Sequence, residues 1–322
     1  MLYYIRKFEK INYTKGNFME KEFRNTVIDY VGNTPLIQLR RVVSEDMADV
    51  YVKLEEFNAG GSVKSRVAIQ MIREAQEKGV LVPNSRQTII EPTGGNTGIG
   101  LAMAASILGY NLILVIPDNY SKEKIRMLEA YGAKVYLSDS STGNDSHIRL
   151  VKEILNEHPE YIWLDQLSNM GNVEAHYRGT GKEIVSALEQ IDCFVAGMGS
   201  SGTISGVGKA IREKFSNANI VVVQPKGCQS LEGNSVPHKI QGLSIGMIPP
   251  ILQGEVIDNA IDITYEEANG MMKQLACKEG LLVGISAGAN ICIALKFAKE
   301  LGRGKVVVTV APDSGRSYLE HY

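Results

Sequence analysis

The chain has 322 residues, 44% of them hydrophobic and 22% charged, and its 34 lysines and arginines nearly balance 36 aspartates and glutamates. A net charge of −2 argues against the concentrated basic surface of a nucleic-acid binder, and no apolar run is long enough to cross a membrane as a helix. A chain of this size buries two modest cores or one large one, and its expected partners are small molecules and further copies of itself.

Residues 1–19 read as an N-terminal extension. They are basic and aromatic, with no apolar stretch or small-residue cleavage site of a secretory signal. From about Gly60 onward, short apolar strands alternate with helices. Strands are expected at 88–91, 111–116, 134–137, 161–164, 193–197, 220–224 and 305–310, rich in Val, Ile and Leu on both faces, as buried parallel strands are. Over 66–78, Ala68, Met71, Ile72 and Ala75 share one helical face and Gly79 supplies a stop. The alternation predicts an α/β protein with parallel sheets. The stretch 226–257 lacks periodicity, and a loop of that length points towards function. Cys193, Cys228, Cys277 and Cys292 form no paired motif; they read as free thiols of a reducing, cytoplasmic setting, and no metal site is expected.

Four glycine-rich turns carry the chemistry. In Asn58-Ala59-Gly60-Gly61-Ser62-Val63-Lys64-Ser65, a lysine follows a turn at a helix start, where the positive field and apolar packing lower an amine's pKa towards nucleophilicity. By itself the segment reads rather as a solvated surface lysine beside a turn, since lysines next to glycines are common. In Glu91-Pro92-Thr93-Gly94-Gly95-Asn96-Thr97-Gly98, a strand end leads through glycines into a helix, an anion site suited to an amino-acid carboxylate. A dinucleotide loop is the competitor, but the next strand ends in Ile116-Pro117 and not in the acidic residue such a loop requires. Gly197-Met198-Gly199-Ser200-Ser201-Gly202-Thr203 is a concave row of backbone donors with three hydroxyls, suited to a phosphate and distinct from a Walker motif. Gly284-Ile285-Ser286-Ala287-Gly288 opens another helix, and its serine alone would be an N-cap.

Together these four segments resemble the cysteine synthase and cystathionine β-synthase family, the β-family of pyridoxal-phosphate enzymes. The resemblance runs from Val31-Gly32-Asn33-Thr34-Pro35-Leu36 to Pro312-Asp313-Ser314-Gly315-Arg316-Ser317-Tyr318-Leu319 and includes Glu174-Ala175-His176-Tyr177 and His238-Lys239-Ile240-Gln241-Gly242. It lies nearer the O-acetylserine-dependent cysteine synthases than the haem-containing cystathionine synthases. It implies a fold type II arrangement of two α/β domains with pyridoxal 5'-phosphate in the cleft between them. The larger domain would comprise 20–55 and 163–322, and the smaller, mobile one 56–162. The implied assembly is a homodimer.

By the same resemblance, Lys64 holds the cofactor as a Schiff base and later acts as acid and base. Asn96 meets the ring hydroxyl, Gly199, Ser200, Ser201, Gly202 and Thr203 cradle the phosphate, and Ser286 faces the ring nitrogen. Thr93, Gly94, Asn96, Thr97, Gln166 and Gly242 would surround the substrate. A serine at the ring nitrogen, in place of an acid, leaves the ring a weaker electron sink. Loss of the α-proton is then tied to departure of the β-substituent. The implied reaction is β-replacement through an aminoacrylate, joining O-acetylserine to sulfide or exchanging a thiol on cysteine. The alternatives are desulfhydration of cysteine and, more remotely, a catalytically silent binding protein.

The sequence departs from the family pattern near the substrate. Gly94 stands where serine is usual, Ser201 and Ser244 replace glycines, Ala287 replaces a second serine, and Gln224 takes the place of a common glutamate. Ser201 is expected to add a donor near the phosphate. Glu232, in the loop before His238, reads as a solvated carboxylate or as a group positioning water or a second substrate.

Overall fold

The structure is a computed structural model that describes residues 26–322. The N-terminal extension at 1–19 lies outside the described residues. Two sheets organise the chain, and the first has six strands in the order β1-β2-β10-β7-β8-β9. These are β1 Leu36–Gln38, β2 Asp49–Leu54, β7 Cys193–Gly197, β8 Asn219–Pro225, β9 Asn259–Ile263 and β10 Val306–Ala311. Only the β1–β2 pairing is antiparallel; the remainder are parallel. The second sheet has four parallel strands in the order β5-β4-β3-β6, namely β3 Thr88–Glu91, β4 Asn111–Pro117, β5 Lys134–Ser138 and β6 Ile162–Trp163.

Helices cover both sheets: α1 Lys64–Glu77, α2 Asn96–Leu108, α3 Lys122–Ala130, α4 Ser146–Glu157, α5 Gly171–Glu174, α6 Lys182–Ala187, α7 Gly202–Lys214, α8 Tyr265–Gln274 and α9 Ile285–Leu301. The central strands show why the fold closes. In β7, Cys193 and Val195 face the α8–α9 side while Phe194 and Ala196 face the α7 side; in β8, Val221 and Val223 oppose Ile220 and Val222 in the same way. Every one of these side chains is at most 1% exposed, and each full burial of a Val or Ile contributes roughly 1.5–3 kcal/mol. The four-stranded sheet has its own core, built on Ile89, Leu112 and Leu114 against α1 and α2, and that core also takes in Ile28, Leu164 and Ala175.

All seven strands expected from the sequence are present, within one residue at each end. The expected helix at 66–78 begins two residues earlier, so Lys64 opens it. Three strands have no clear apolar signal. In β2, Asp49 and Lys53 interrupt the run, and Lys53 is buried because Glu183 pairs with it at 2.7 Å. Short β1 and edge strand β9 are only half-buried. The stretch 226–257 is irregular, with single helical turns at Ser230–Glu232 and Gly254–Val256.

Candidate active site

Helix N-termini from both sheets converge on one cavity of about 240 Å³. Lys64 begins α1 because the preceding segment is stitched to the chain beyond β10: Val63 N–H donates to Pro312 O at 2.8 Å, and Ser62 bridges Asp313. Two residues on, the guanidinium of buried Arg66 binds Glu55 at 2.6 Å and Glu183 at 2.6 Å. Burial opposes ionisation of Glu183, but Arg66 and Lys53 hold its carboxyl down at about 2. The Lys64 amine lines the cavity. Burial lowers its pKa, against the charges of Asp313 and Glu55, which moves it towards the neutral, nucleophilic form.

The turn after β3 delivers Thr93, Asn96 and Thr97 to the same cavity. Asn96 Nδ2 donates to Asp313 Oδ2 at 2.7 Å, and Thr97 Oγ1 donates to Gln166 Oε1 at 2.7 Å. Gln166 is held by Glu91, whose two carboxylate oxygens each accept a backbone N–H at 3.0 Å, from Asp165 and Gln166. Burial pushes the Glu91 carboxyl up to about 7 despite those donors.

Beyond β7, residues 199–203 turn into α7, and Gly199, Ser200, Ser201 and Thr203 line the cavity at that helix N-terminus, where backbone N–H groups lack helical partners. A Cβ on Gly199 would stand 2.2 Å from Gly242 O, so glycine is what lets the 242 segment lie on this turn. Ser201 holds φ +67, the left-handed region, and its Oγ donates to Ser200 O at 2.6 Å. The expected extra donor at Ser201 is therefore spent within the loop. Ser286 lies in the first turn of α9 with its hydroxyl free of side-chain hydrogen bonds to other described residues. One turn later Asn290 accepts Gly197 N–H at 2.8 Å and donates to Val310 O at 2.9 Å, fixing the helix against β7 and β10.

Of the residues singled out in the sequence, Lys64, Thr93, Asn96, Thr97, Gln166, Gly199, Ser200, Ser201, Thr203, Gly242 and Ser286 line this cavity. Gly94, Gly202 and Glu232 do not. Gly94 turns away: a Cβ there would meet Ile116 Cγ2 at 2.6 Å and the Tyr120 ring at 3.0 Å, which accounts for the missing serine. Gly202 packs on Asn172, and Glu232 is exposed.

Sequence reasoning missed Asp313 and Tyr318. Both wall the cavity, and Tyr318 Oη donates to Asp313 Oδ2 at 2.7 Å. Burial raises the Asp313 pKa, against its bonds from Tyr318 and Asn96 and the Lys64 charge. Both residues sit in the 312–319 motif, which carried the resemblance without a role for either. Asn172 was also missed; its amide spans Gln166 O at 2.8 Å and Ser200 Oγ at 3.0 Å, and nothing in its spacing signals that.

Residues 27–313 match the family described as pyridoxal-phosphate dependent enzyme. The chain belongs to this family. It is 43% identical to a cysteine synthase of Staphylococcus aureus (strain N315), over 92% of this chain and 95% of the relative. It is 45% identical to a probable cysteine synthase of Bacillus subtilis (strain 168), over 94% and 97%. A solved hydrogen sulfide-producing enzyme of Fusobacterium nucleatum superposes with a TM-score of 0.87 at 38% identity, covering 93% of this chain and 99% of that one. The two α/β units with parallel-rich sheets are the fold of these enzymes.

The residues present fit the cofactor that defines the family. An amine of lowered pKa shares the cavity with the N-terminus of α7, a free hydroxyl stands at the start of α9, and Gly199 lets the lining segment at Gly242 close onto the turn where a Cβ would stand 2.2 Å from its carbonyl. Lys64 could hold it covalently, residues 199–203 its phosphate, and Asn96 and Ser286 the ring.

Proposed function

We propose that the chain catalyses pyridoxal-phosphate-dependent β-replacement on a small amino acid, joining O-acetylserine to sulfide or exchanging thiols on cysteine. The observation that carries this reading is the convergence of Lys64, Asn96, the 199–203 turn and Ser286 on one cavity. When bound, the cofactor supplies a conjugated path that takes up the electron pair left at the α-carbon. Lys64 Nζ takes the α-proton, for which its lowered pKa suits it. Thr97 and Gln166, already bonded to each other, and the N–H groups opening α2 orient the substrate carboxylate. Ser286 offers a hydroxyl and no charge, which favours expulsion of the β-substituent over a long-lived carbanion.

The second reading, release of hydrogen sulfide from cysteine at the same site, is favoured by the likeness to the Fusobacterium enzyme. Incubation with cysteine alone, against O-acetylserine plus sulfide, with product identification, separates the two. Cysteine formation supports the first reading; pyruvate and sulfide from cysteine alone, with no cysteine made, overturns it.

The reading includes a division of the chain near 56 and 163, supported by the separate core of the four-stranded sheet, and movement of the 56–162 unit over the substrate. It also includes a homodimer, tested by light scattering, and a cytoplasmic setting, with which four free cysteines agree.

A further inference from the structure

Two departures from the family pattern, Gln224 and Ser244, lie 20 residues apart in sequence yet belong to one buried chain of hydrogen bonds. Gln224, at the end of β8, donates through Nε2 to Asp262 Oδ1 on neighbouring β9 at 2.8 Å. Its Oε1 accepts the backbone N–H of Ser230 at 2.9 Å, and Ser230 Oγ bonds Ser244 Oγ. The three side chains are 8%, 3% and 7% exposed, so water cannot readily replace these bonds.

Ser244 sits in the segment that covers the candidate active site. Its neighbours Gly242, Leu243 and Ile245 line the cavity, its own N–H donates to Met198 O at 2.8 Å, and its carbonyl accepts from Ser235 Oγ at 3.1 Å. It holds φ +47, a conformation that favours glycine, so a serine here is strained unless its hydroxyl is used.

We propose that Gln224, Ser230 and Ser244 form a tether from the sheet to the 241–246 segment, positioning that wall and thereby limiting the size of the nucleophile admitted to the cavity. The proposal rests on the β-replacement reading for its substrate, but not for its geometry. Asp262 is the fixed post, because β9 is paired along its length with β8. A glutamine suits the link where a glutamate would not: it presents an acceptor to Ser230 and a donor to Asp262, whereas a glutamate would set two carboxylates against each other. All three are positioning residues, acting through Gly242, Leu243 and Ile245.

Ser244→Gly removes the hydroxyl but also relaxes φ +47, so it is read beside Ser230→Ala, which leaves the 244 backbone unchanged. Hydrogen exchange of peptides spanning 241–246 is expected to rise about fivefold, the loss of one buried hydrogen bond of ~1 kcal/mol. Ser230→Ala should do the same, and the double variant should add little to either single, because both break one link. In kinetics, the preference for 2-mercaptoethanol over sulfide, as a ratio of kcat/KM, should rise by about fivefold. The change should fall in KM, with kcat held. Unchanged exchange, or additive effects in the double variant, overturns the tether. Raised exchange with an unaltered thiol preference overturns its role in selectivity. If wild-type protein joins no thiol to O-acetylserine, the β-replacement reading fails, while the exchange experiment still judges the tether.

Discussion

Glu91→Gln is the perturbation whose consequence follows most directly from the geometry. Glu91 is 1% exposed, and its carboxyl is pushed from 4.5 up to about 7. Between those two values the folded chain keeps a proton that the unfolded chain releases, so stability falls as pH rises through this window. The ceiling is roughly 3 kcal/mol, about 2 kcal/mol of it between pH 5 and 7.5. Glutamine keeps the shape and accepts one of the two backbone N–H groups, but turns its amide donor against the other. A constant loss of about 1–3 kcal/mol is expected, with the slope removed. Thermal unfolding at matched cofactor loading reads this as a gap between the two melting curves that narrows by about 4 °C from pH 5 to pH 7.5, at roughly 2 °C per kcal/mol for a long chain. Other groups cancel in the comparison. Burial lowers the pKa of His176 and of His147, so their contributions fade only as pH drops below 6.5, and Glu183 and Glu267, both held near 2, matter only below 4.5. Parallel curves for the two proteins over pH 5–7.5 would refute the account of Glu91.

Lys64→Ala should abolish covalent retention of the cofactor through dialysis and lower turnover by ~10² or more, read by absorbance and product formation. Ser286→Asp places a charge at the start of α9, where the helix favours it, and should divert substrate towards keto-acid products while slowing β-replacement at least about tenfold. Gly94→Ser brings a side chain within 2.6 Å of Ile116 and 3.0 Å of Tyr120, and should cost about 1–3 kcal/mol; Tyr120→Ala should restore part of the lost melting temperature.

The β-strands that were legible are those buried on both faces, because their apolar runs have no other use. Strand β2 was not, since Lys53 looks like surface until Glu183, 130 residues later, is seen beside it. The four glycine turns were legible as anion sites one by one, and their convergence was legible only through family resemblance. What sequence could not give is the layer behind them. Asn172 reaches Ser200, Glu91 reaches Asp165 and Asp313 reaches Asn96 across 28, 74 and 217 positions, and no local spacing encodes such contacts. Gly94 and Ser244 looked like changes of substrate chemistry. One is a packing partner of Tyr120, and the other a knot in a hydrogen-bond chain.

The stitching around Lys64 bears on how this site can move. The segment before the lysine is paired to Pro312 and Asp313 beyond β10, and Arg66 just after it is ion-paired to Glu55 and Glu183. The turn at 199–203 grows from β7 in the six-stranded sheet. Yet Lys64 itself opens α1, which packs in the core of the four-stranded sheet, so a molecule bonded to Lys64 and gripped at 199–203 would be held by both sheets at once. The turn at 93–97 opens α2, which packs on α1, so the carboxylate-side turn and Lys64 ride on one body, and any shift of that body against the six-stranded sheet would be felt at the stitch between 62–63 and 312–313.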